Sequence, residues 1–441
     1  MGPVLRRMAA EVQDLLAGLR ALPVAVAVGP AAMRAHLAAR FGFEGPRPAA
    51  EVVLDVAAML RRWTVHGGHP RYFGPSAQSV DPTGIAAAVL AARLGLPENT
   101  AATFTSGASE STLSALVVAL TRALPDHARL GLAGGPRPTV YVSAQGHPSL
   151  TKLALAVGIG RDAVRVVPCD DALRMDPDAL SAAITRDRAH GVRPTVVVAT
   201  AGTTEAGAID PLAAIADLCA AEGLWLHVDA AWGGAAALSA RYARCLDGIG
   251  RADSVAWDAH KGLGVPVGAG MFFCRHPGDV RAAFQTGAAY MPRADGPRPQ
   301  PFALGLQWSR RFIGLPLLMT LAEHGLAGVG ARVERQADLA DRLREGLRAR
   351  GWSLVNDSPL PVVCFTHPAI RAGRVLPRDL VRRLRRAGAG WIAETSLRPG
   401  EPALRACVAS QATTADDIDA LVVALDDALI AGTTDAPARR P

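Results

Sequence analysis

Apolar positions along the chain follow two rhythms. In residues 8–22 and 48–63 they recur every three or four positions, which places them on one face of a helix. The run Gly67-Gly68-His69-Pro70 breaks that pattern. From about residue 76 to 315, short apolar runs (139–143, 164–167, 195–200, 224–229, 254–257 and 269–274) alternate with helical stretches such as 109–124 and 211–222. This alternation predicts a largely parallel sheet covered by helices on both faces, because parallel neighbours need a crossover between them. A long helical stretch, 317–350, changes the rhythm. Segments 353–365, 377–386, 404–408 and 415–430 then read as a smaller α+β domain. The expected division is a helical segment 1–75, a large α/β domain 76–315 and a small C-terminal domain 316–441. No internal repeat is visible. The Pro-, Arg- and Gly-rich stretch 292–301 reads as an exposed, mobile loop, and the last ten residues as a frayed end.

Composition narrows the class. Of 441 residues, 50% are hydrophobic and 20% charged, which excludes a disordered chain, a coiled coil and a small disulfide scaffold. No apolar run approaches the roughly 18 residues of a membrane span; the stretch 21–33 is interrupted by Pro23 and Pro30. The first twenty residues are amphipathic and carry Glu11 and Asp14, a poor signal peptide. The six cysteines are scattered, without a CxxC pair, and read as small buried residues in a reducing compartment. A soluble cytoplasmic protein with no membrane partner is expected. The net charge of +7 alone would suggest nucleic acid. The densest basic run, Arg382-Arg383-Leu384-Arg385-Arg386, lies in a helical pattern with Leu380, Val381 and Leu384 on its apolar side, so it reads as a solvated helix face. No nucleic-acid motif is present, and no nucleic-acid partner is expected.

Lysine is the informative residue. Of 47 basic residues only two, Lys152 and Lys261, are lysine; the other 45 are arginine. Arginine stays protonated at any biological pH, whereas a lysine amine can lose its proton and attack a carbonyl. Lys261 follows an apolar run and opens a glycine-bearing turn, His260-Lys261-Gly262, and ligands of open α/β sheets sit at such strand ends. Thirty-two residues earlier, Leu226-His227-Val228-Asp229-Ala230-Ala231 ends another run in a carboxylate followed by small residues. That carboxylate suits a metal, a ribose, a protonated ring nitrogen or a simple turn cap. Thr105-Ser106-Gly107-Ala108-Ser109 opens a helix with the free N–H groups of a phosphate seat, or caps it with serine. His147 leaves a third run, where an imidazole is structural or stacks on a ring and handles protons. The eleven histidines are dispersed, and His66 and His69 lack an obvious third ligand, so no metal site is expected.

Taken together these segments resemble the group II pyridoxal 5′-phosphate (PLP)-dependent amino-acid decarboxylases, which include the aromatic-amino-acid and glutamate decarboxylases. The resemblance runs from about His69 to Thr414. It is carried in order by HPRYFG (69–74), FTSGASES (104–111), YVSAQGH (141–147), TAGTTEAGAID (200–210), WLHVDAAWGG (225–234), ADSVAWDAHKG (252–262), LQWSRRFIGL (306–315) and LRACVASQATT (404–414). It implies fold type I of the PLP enzymes, with a mostly parallel seven-stranded sheet in the large domain and a small C-terminal α+β domain. It also implies a homodimer, with residues 1–75 as the segment that wraps the partner subunit. By resemblance Lys261 holds PLP as an internal aldimine, Asp229 pairs with the pyridine nitrogen, Ala231 packs on one ring face and His147 stacks on the other. Gly107, Ala108, Ser109 and His260 bind the phosphate, and Thr200 lies near the ring substituents. Tyr72, within residues 69–74, helps wall the substrate pocket, and Arg405 meets the substrate carboxylate. Lys261, Asp229 and His147 are the catalytic set, acting on an L-amino acid to give the amine and CO2.

The sequence departs from the family at one telling place. Relatives carry a tyrosine on a mobile loop that helps protonate the reaction intermediate, and here that position falls at or beside Phe302. None of Tyr72, Tyr141, Tyr242 and Tyr290 stands there, although Tyr290 could substitute after a rearrangement. Phenylalanine donates no proton, and in relatives resembling aldehyde synthases such a change lets oxygen intercept the intermediate. Decarboxylation with oxidative deamination to an aldehyde, or another PLP-dependent carbon–carbon lyase reaction, therefore stand as alternatives. Asp258, three residues before the lysine, is within the family's range. Gly262, where many relatives are bulky, widens or loosens the pocket. A DNA-binding PLP regulator would need a helix-turn-helix in residues 1–75, where none is recognisable, and a silent scaffold would be expected to lose Lys261 or Asp229.

Overall fold

The computed structural model describes residues 3–18, 21–22, 30–63, 84–124, 126–132, 135–286 and 301–434. Tyr72, Tyr290, the 69–74 motif and most of the 292–301 loop lie outside the described residues.

Seven strands make the mostly parallel sheet: β1 (Ala101–Thr105), β2 (Pro138–Ser143), β3 (Val164–Val167), β4 (Arg193–Thr200), β5 (Trp225–Asp229), β6 (Ser254–Asp258) and β7 (Gly270–Cys274). A second sheet has β8 (Ser353–Leu354), β9 (Val362–Thr366), β10 (Ala393–Thr395) and β11 (Ala403–Cys407), antiparallel throughout in the order β10-β11-β9-β8. The chain groups into two compact units, Met1–Gly135 with Gly250–Gly330, and Pro136–Ile249 with Ala331–Pro441.

The first unit holds β1, β7 and β6 in that order, all antiparallel. Phe272, Phe273 and Trp257 on these strands are almost fully buried, as are Leu116 and Leu120 of the helix Ala108–Ala123 that packs on β6 and β7. The same unit carries the helices Pro3–Gly18, Pro30–Phe41 and Ala49–Trp63. The long helix Gly314–Ala349 is not continuous as its periodicity predicts. Its backbone turns left-handed at Gly325 (φ 65°), where a Cβ would sit 2.9 Å from the carbonyl carbon of Gly45. Only glycine accepts both the dihedral and that approach.

The second unit holds β5, β4, β2 and β3 in that order, all parallel. The valine run of β4 is buried on both faces, as a strand covered on both sides requires. Each of β2, β4 and β5 ends in a polar residue, Ser143, Thr200 and Asp229. The second sheet, backed by the helices Pro377–Arg386 and Ala415–Thr434, closes on its own core of Leu343, Trp352, Phe365, Leu380, Leu404 and Leu425. On Pro377–Arg386, Leu380 and Leu384 are buried while Arg382, Arg385 and Arg386 are exposed, the solvated basic face that the pattern predicts.

Candidate functional site

The candidate residues fall into two groups, one in each unit. In the first unit, β6 delivers Asp258 buried at its end, and a single helical turn, Ala259–Gly262, follows with His260 and Lys261. Lys261 Nζ lies 3.2 Å from Asp258 Oδ2, and His260 Nε2 lies 3.6 Å from the same oxygen. The Ala269 amide donates to His260 Nδ1 at 3.3 Å, so the ring proton resides on Nε2. Beside them the turn Ser106-Gly107 enters the helix Ala108–Ala123, whose first N–H groups have no helical acceptor behind them. A Cβ on Gly107 would lie 3.6 Å from the His260 ring. A Cβ on Gly270 of β7 would lie 2.5 Å from the Gly107 Cα. The seat is thus formed by two backbones in contact, with an imidazole and an amine close by. Free N–H groups, a helix N-terminus and no side chain in the cradle are what a phosphate group needs.

Glu110 braces this seat. Its Oε2 accepts from the Ser106 N–H (2.7 Å), the Ser106 hydroxyl (2.7 Å) and Gln307 Nε2 (2.8 Å). Arg310 ties the same segment to β1, donating to the Thr103 hydroxyl and the carbonyls of Phe104, Pro301 and Gln307. Phe302 lies in the short helical turn Pro301–Leu304, 3% exposed, and stacks on Trp308 with ring centroids 4.9 Å apart.

In the second unit, Thr200 and Asp229 are paired across β4 and β5. Asp229 Oδ1 accepts from the Ala231 amide at 3.1 Å, which fixes the carboxylate over the small residues that follow it. The Thr200 hydroxyl is buried and makes no hydrogen bond among the described residues. A buried hydroxyl without a partner is costly unless a ligand satisfies it. Behind Thr200 stands Asp210, 2% exposed, whose Oδ2 accepts from the Thr200 amide and Oδ1 from the Met175 amide, both at 2.7 Å. Burial pushes the Asp210 carboxyl up to about 6, outweighing the two backbone amides that lower it. His147 is exposed; its Nδ1 accepts from the Ser149 amide (3.2 Å) and lies 2.7 Å from the Ser149 hydroxyl. Arg405 is half-buried on β11, its Nε donating to the carbonyls of Thr204 and Glu205.

Gly107, His260 and Lys261 are therefore neighbours in the first unit, with Ala108 and Ser109 at the same helix start. Thr200, Asp229 and Ala231 are neighbours in the second, and neither His147 nor Arg405 has a hydrogen bond to them among those described. A cavity of about 630 Å³ in the second unit, lined by Leu173, Asn356 and Arg398 among others, includes none of the candidate residues. Among the described residues no cluster of His, Cys, Asp and Glu could hold a metal ion. Glu110, Gln307 and Asp210 are not singled out by the sequence. Asp210 has a usable signal, a lone acid between Ala208-Ile209 and Pro211. Each group, taken by itself, has donors that suit part of PLP: in the first unit a helix start at Gly107 beside the His260 ring, and in the second an unsatisfied buried hydroxyl on the strand next to a strand-end carboxylate.

Comparison with known proteins gives the same answer. The family model described as the pyridoxal-dependent decarboxylase conserved domain matches residues 83–367. Mouse cysteine sulfinic acid decarboxylase is 32% identical over 368 residues, covering 76% of this chain and 74% of the mouse protein. The human acidic amino acid decarboxylase is 35% identical over 275 residues, covering 61% of this chain and 53% of the human protein. A crystal structure of the mouse cysteine sulfinic acid decarboxylase superposes with a TM-score of 0.71 at 28% identity, covering 96% of this chain and 98% of that one.

Proposed function

The chain belongs to the pyridoxal-dependent decarboxylase family, a PLP-dependent amino-acid carboxy-lyase, and from that premise we propose both its substrate class and the roles of its residues. The substrate is an L-amino acid with an acidic side chain. The observation that carries this is the similarity to cysteine sulfinic acid and acidic amino acid decarboxylases at 32% and 35% identity.

When bound, PLP supplies an electron sink for the electron pair of the Cα–carboxylate bond. Lys261 would hold the cofactor through its amine. The N–H groups of Gly107, Ala108 and Ser109, with His260 Nε2–H, hold the phosphate. The His260 tautomer supports this, since its Nδ1 is already used by Ala269 and Nε2 remains the donor. Asp229 keeps a proton on the pyridine nitrogen, and its orientation by the Ala231 amide makes that partnership directional. Ala231 and His147 cover the two ring faces. Thr200 donates its hydroxyl to a ring substituent, and Tyr72 walls the substrate pocket. Arg405 receives the substrate carboxylate on the edge of its guanidinium left by the bonds from Nε. With Phe302 buried against Trp308, the proton delivered to Cα comes from another group.

The chain acts as a cytoplasmic homodimer. Residues 1–75 form the dimerisation segment, 76–315 the PLP-binding domain and 316–441 the small domain. Helices Pro3–Gly18, Pro30–Phe41 and Ala49–Trp63 support the first assignment. The six cysteines, scattered without a CxxC pair, support a reducing compartment. No helix among the described residues is long and apolar enough to cross a membrane.

The deciding experiment gives the PLP-loaded protein cysteine sulfinate, aspartate, glutamate and a panel of aromatic amino acids in air, with mass spectrometry of products and a peroxide assay. An amine from an acidic substrate, without peroxide, is expected. An amine from aromatic substrates only would overturn the substrate class. Aldehyde, ammonia and peroxide in equal amounts, with one O2 and one water consumed per CO2, would overturn the amine product and make Phe302 the mark of a changed reaction.

A further inference from the structure

The mechanism leaves Asp210, a buried carboxylate, unused. Asp210 makes no contact with solvent to speak of, yet both its oxygens are occupied by backbone amides, those of Thr200 and Met175. Its own amide donates to the Thr200 carbonyl at 2.9 Å, so Thr200 is held on both its N–H and its C=O by a single residue. Thr200 is the residue whose hydroxyl is buried without a partner and whose strand neighbour is Asp229. We propose that Asp210 is a positioning residue for the reaction: its two-sided grip on the Thr200 backbone fixes the free hydroxyl beside Asp229 for the cofactor. The proposal rests on the PLP reading above.

Two physical arguments favour function over mere architecture. A strand end needs no carboxylate to finish its hydrogen bonds; a backbone carbonyl or a water would serve. Burial pushes the Asp210 carboxyl up to about 6, so at neutral pH its charged form is kept against its environment. The titratable groups that face it are Asp170, which raises its pKa, Arg174, which lowers it, and the Cys169 thiol. Asp170 and Arg174 neutralise each other at 2.7 Å, leaving little outside charge to hold Asp210 ionised. What the charged form provides is two acceptors at once. The protonated acid, or an asparagine, has one acceptor and a donor that faces an N–H. A buried charge retained at a cost in stability is a feature of functional sites.

The test uses the full chain loaded with PLP and reads cofactor affinity and the pH midpoint of the bound cofactor's long-wavelength absorbance, with the melting temperature of the cofactor-free chain alongside. Thr200→Val removes the hydroxyl at constant shape, Thr200→Ser restores it, and Asp210→Asn removes one acceptor. Asp210→Asn and Thr200→Val are expected each to weaken PLP binding by about tenfold and to move the absorbance midpoint in the same direction. The double variant should add little, because the two act as one unit. Thr200→Ser should recover most of the loss. If Asp210→Asn lowers the melting temperature but leaves affinity and midpoint unchanged, Asp210 is structural and the proposal fails. Should Asp210→Asn not fold, unchanged affinity and midpoint in Thr200→Val overturn the proposal equally. Wild-type chain that takes up no PLP would instead overturn the cofactor reading, a separate outcome.

Discussion

The two groups of candidate residues, one in each unit, are built by different means. Around Lys261 the polar groups belong to side chains: a lysine amine, an imidazole and the carboxylate of Asp258 gather at the end of β6. Around Asp229 the partners belong to the backbone: the Ala231 amide orients Asp229, and Asp210 works through the amides of Thr200 and Met175. A side-chain cluster can be edited one group at a time. A backbone-anchored one ties its chemistry to the geometry of the strands. The difference sets the order of effects expected from mutation.

The largest effect belongs to the side-chain half. Lys261→Ala removes the amine proposed to hold the cofactor. It should abolish the long-wavelength absorbance of bound PLP and nearly all turnover, read by spectrophotometry and CO2 release. Full activity in that variant would break the comparison at its root. Next comes Asp229→Asn, which keeps shape and the Ala231 contact but gives up the charge. PLP should stay bound while CO2 release slows by about a hundredfold or more, as when a preorganised charge partner is lost. Unchanged kinetics would remove Asp229 from the electron-sink role.

The third prediction sharpens the contrast through pH. Asp210 has a folded-state pKa near 6 against 3.8 for a free side chain, so the folded state prefers its protonated form. That preference contributes stability in full below about pH 4, and the contribution is lost as pH rises to about 6. The loss is about 3 kcal/mol, an order-of-magnitude figure from roughly two pKa units. Asp210→Asn cannot titrate and mimics the protonated acid. Its unfolding midpoint in urea relative to wild type should therefore rise between pH 4 and 7, ending no lower than wild type at neutrality, while PLP affinity falls. A constant difference across that range would mean that Asp210 does not titrate there.

Much of the scaffold was legible beforehand. The six apolar runs correspond within two residues to β2 through β7, because continuous valine- and aromatic-rich segments bounded by turn residues have few other ways to be buried. The short β10 of the second sheet escaped, and in the seven-stranded sheet the strand that escaped was β1. Ala-Ala-Thr-Phe-Thr lacks a strong apolar run, and β1 is an antiparallel strand on the sheet's margin. The break in Gly314–Ala349 escaped as well, since one glycine in a helical pattern signals no more than lower propensity; its left-handed dihedral depends on Gly45, distant in sequence. Among the proposed site residues, Lys261 stands out by its rarity and Asp229 by its place after a strand. Glu110 and Gln307 do not, because their meaning lies in a contact across 197 residues. Phe302 was placed by counting along a motif. Its stacking on Trp308 is a packing fact that no spacing encodes.

The smallest effect tests whether even the side-chain half leans on its backbone. Glu110 Oε2 gathers three donors, and two of them come from Ser106 at the lip of the phosphate seat. Gln307 supplies the third and is the only one of the three that reaches the seat from the 301–310 segment. In Gln307→Ala the carboxylate keeps both Ser106 bonds, so the seat should retain its shape and lose only a brace. A half-buried, charge-assisted hydrogen bond contributes about 1 kcal/mol. PLP affinity should therefore weaken about fivefold, with kcat nearly unchanged, because Gln307 touches neither the lysine nor the ring-nitrogen acid. Glu110→Gln turns the same oxygen into a weaker acceptor for all three donors and should cost more. If Gln307→Ala instead cuts kcat as deeply as Asp229→Asn does, the 301–310 segment takes part in the chemical step. The division between a side-chain half and a backbone half would then be drawn in the wrong place.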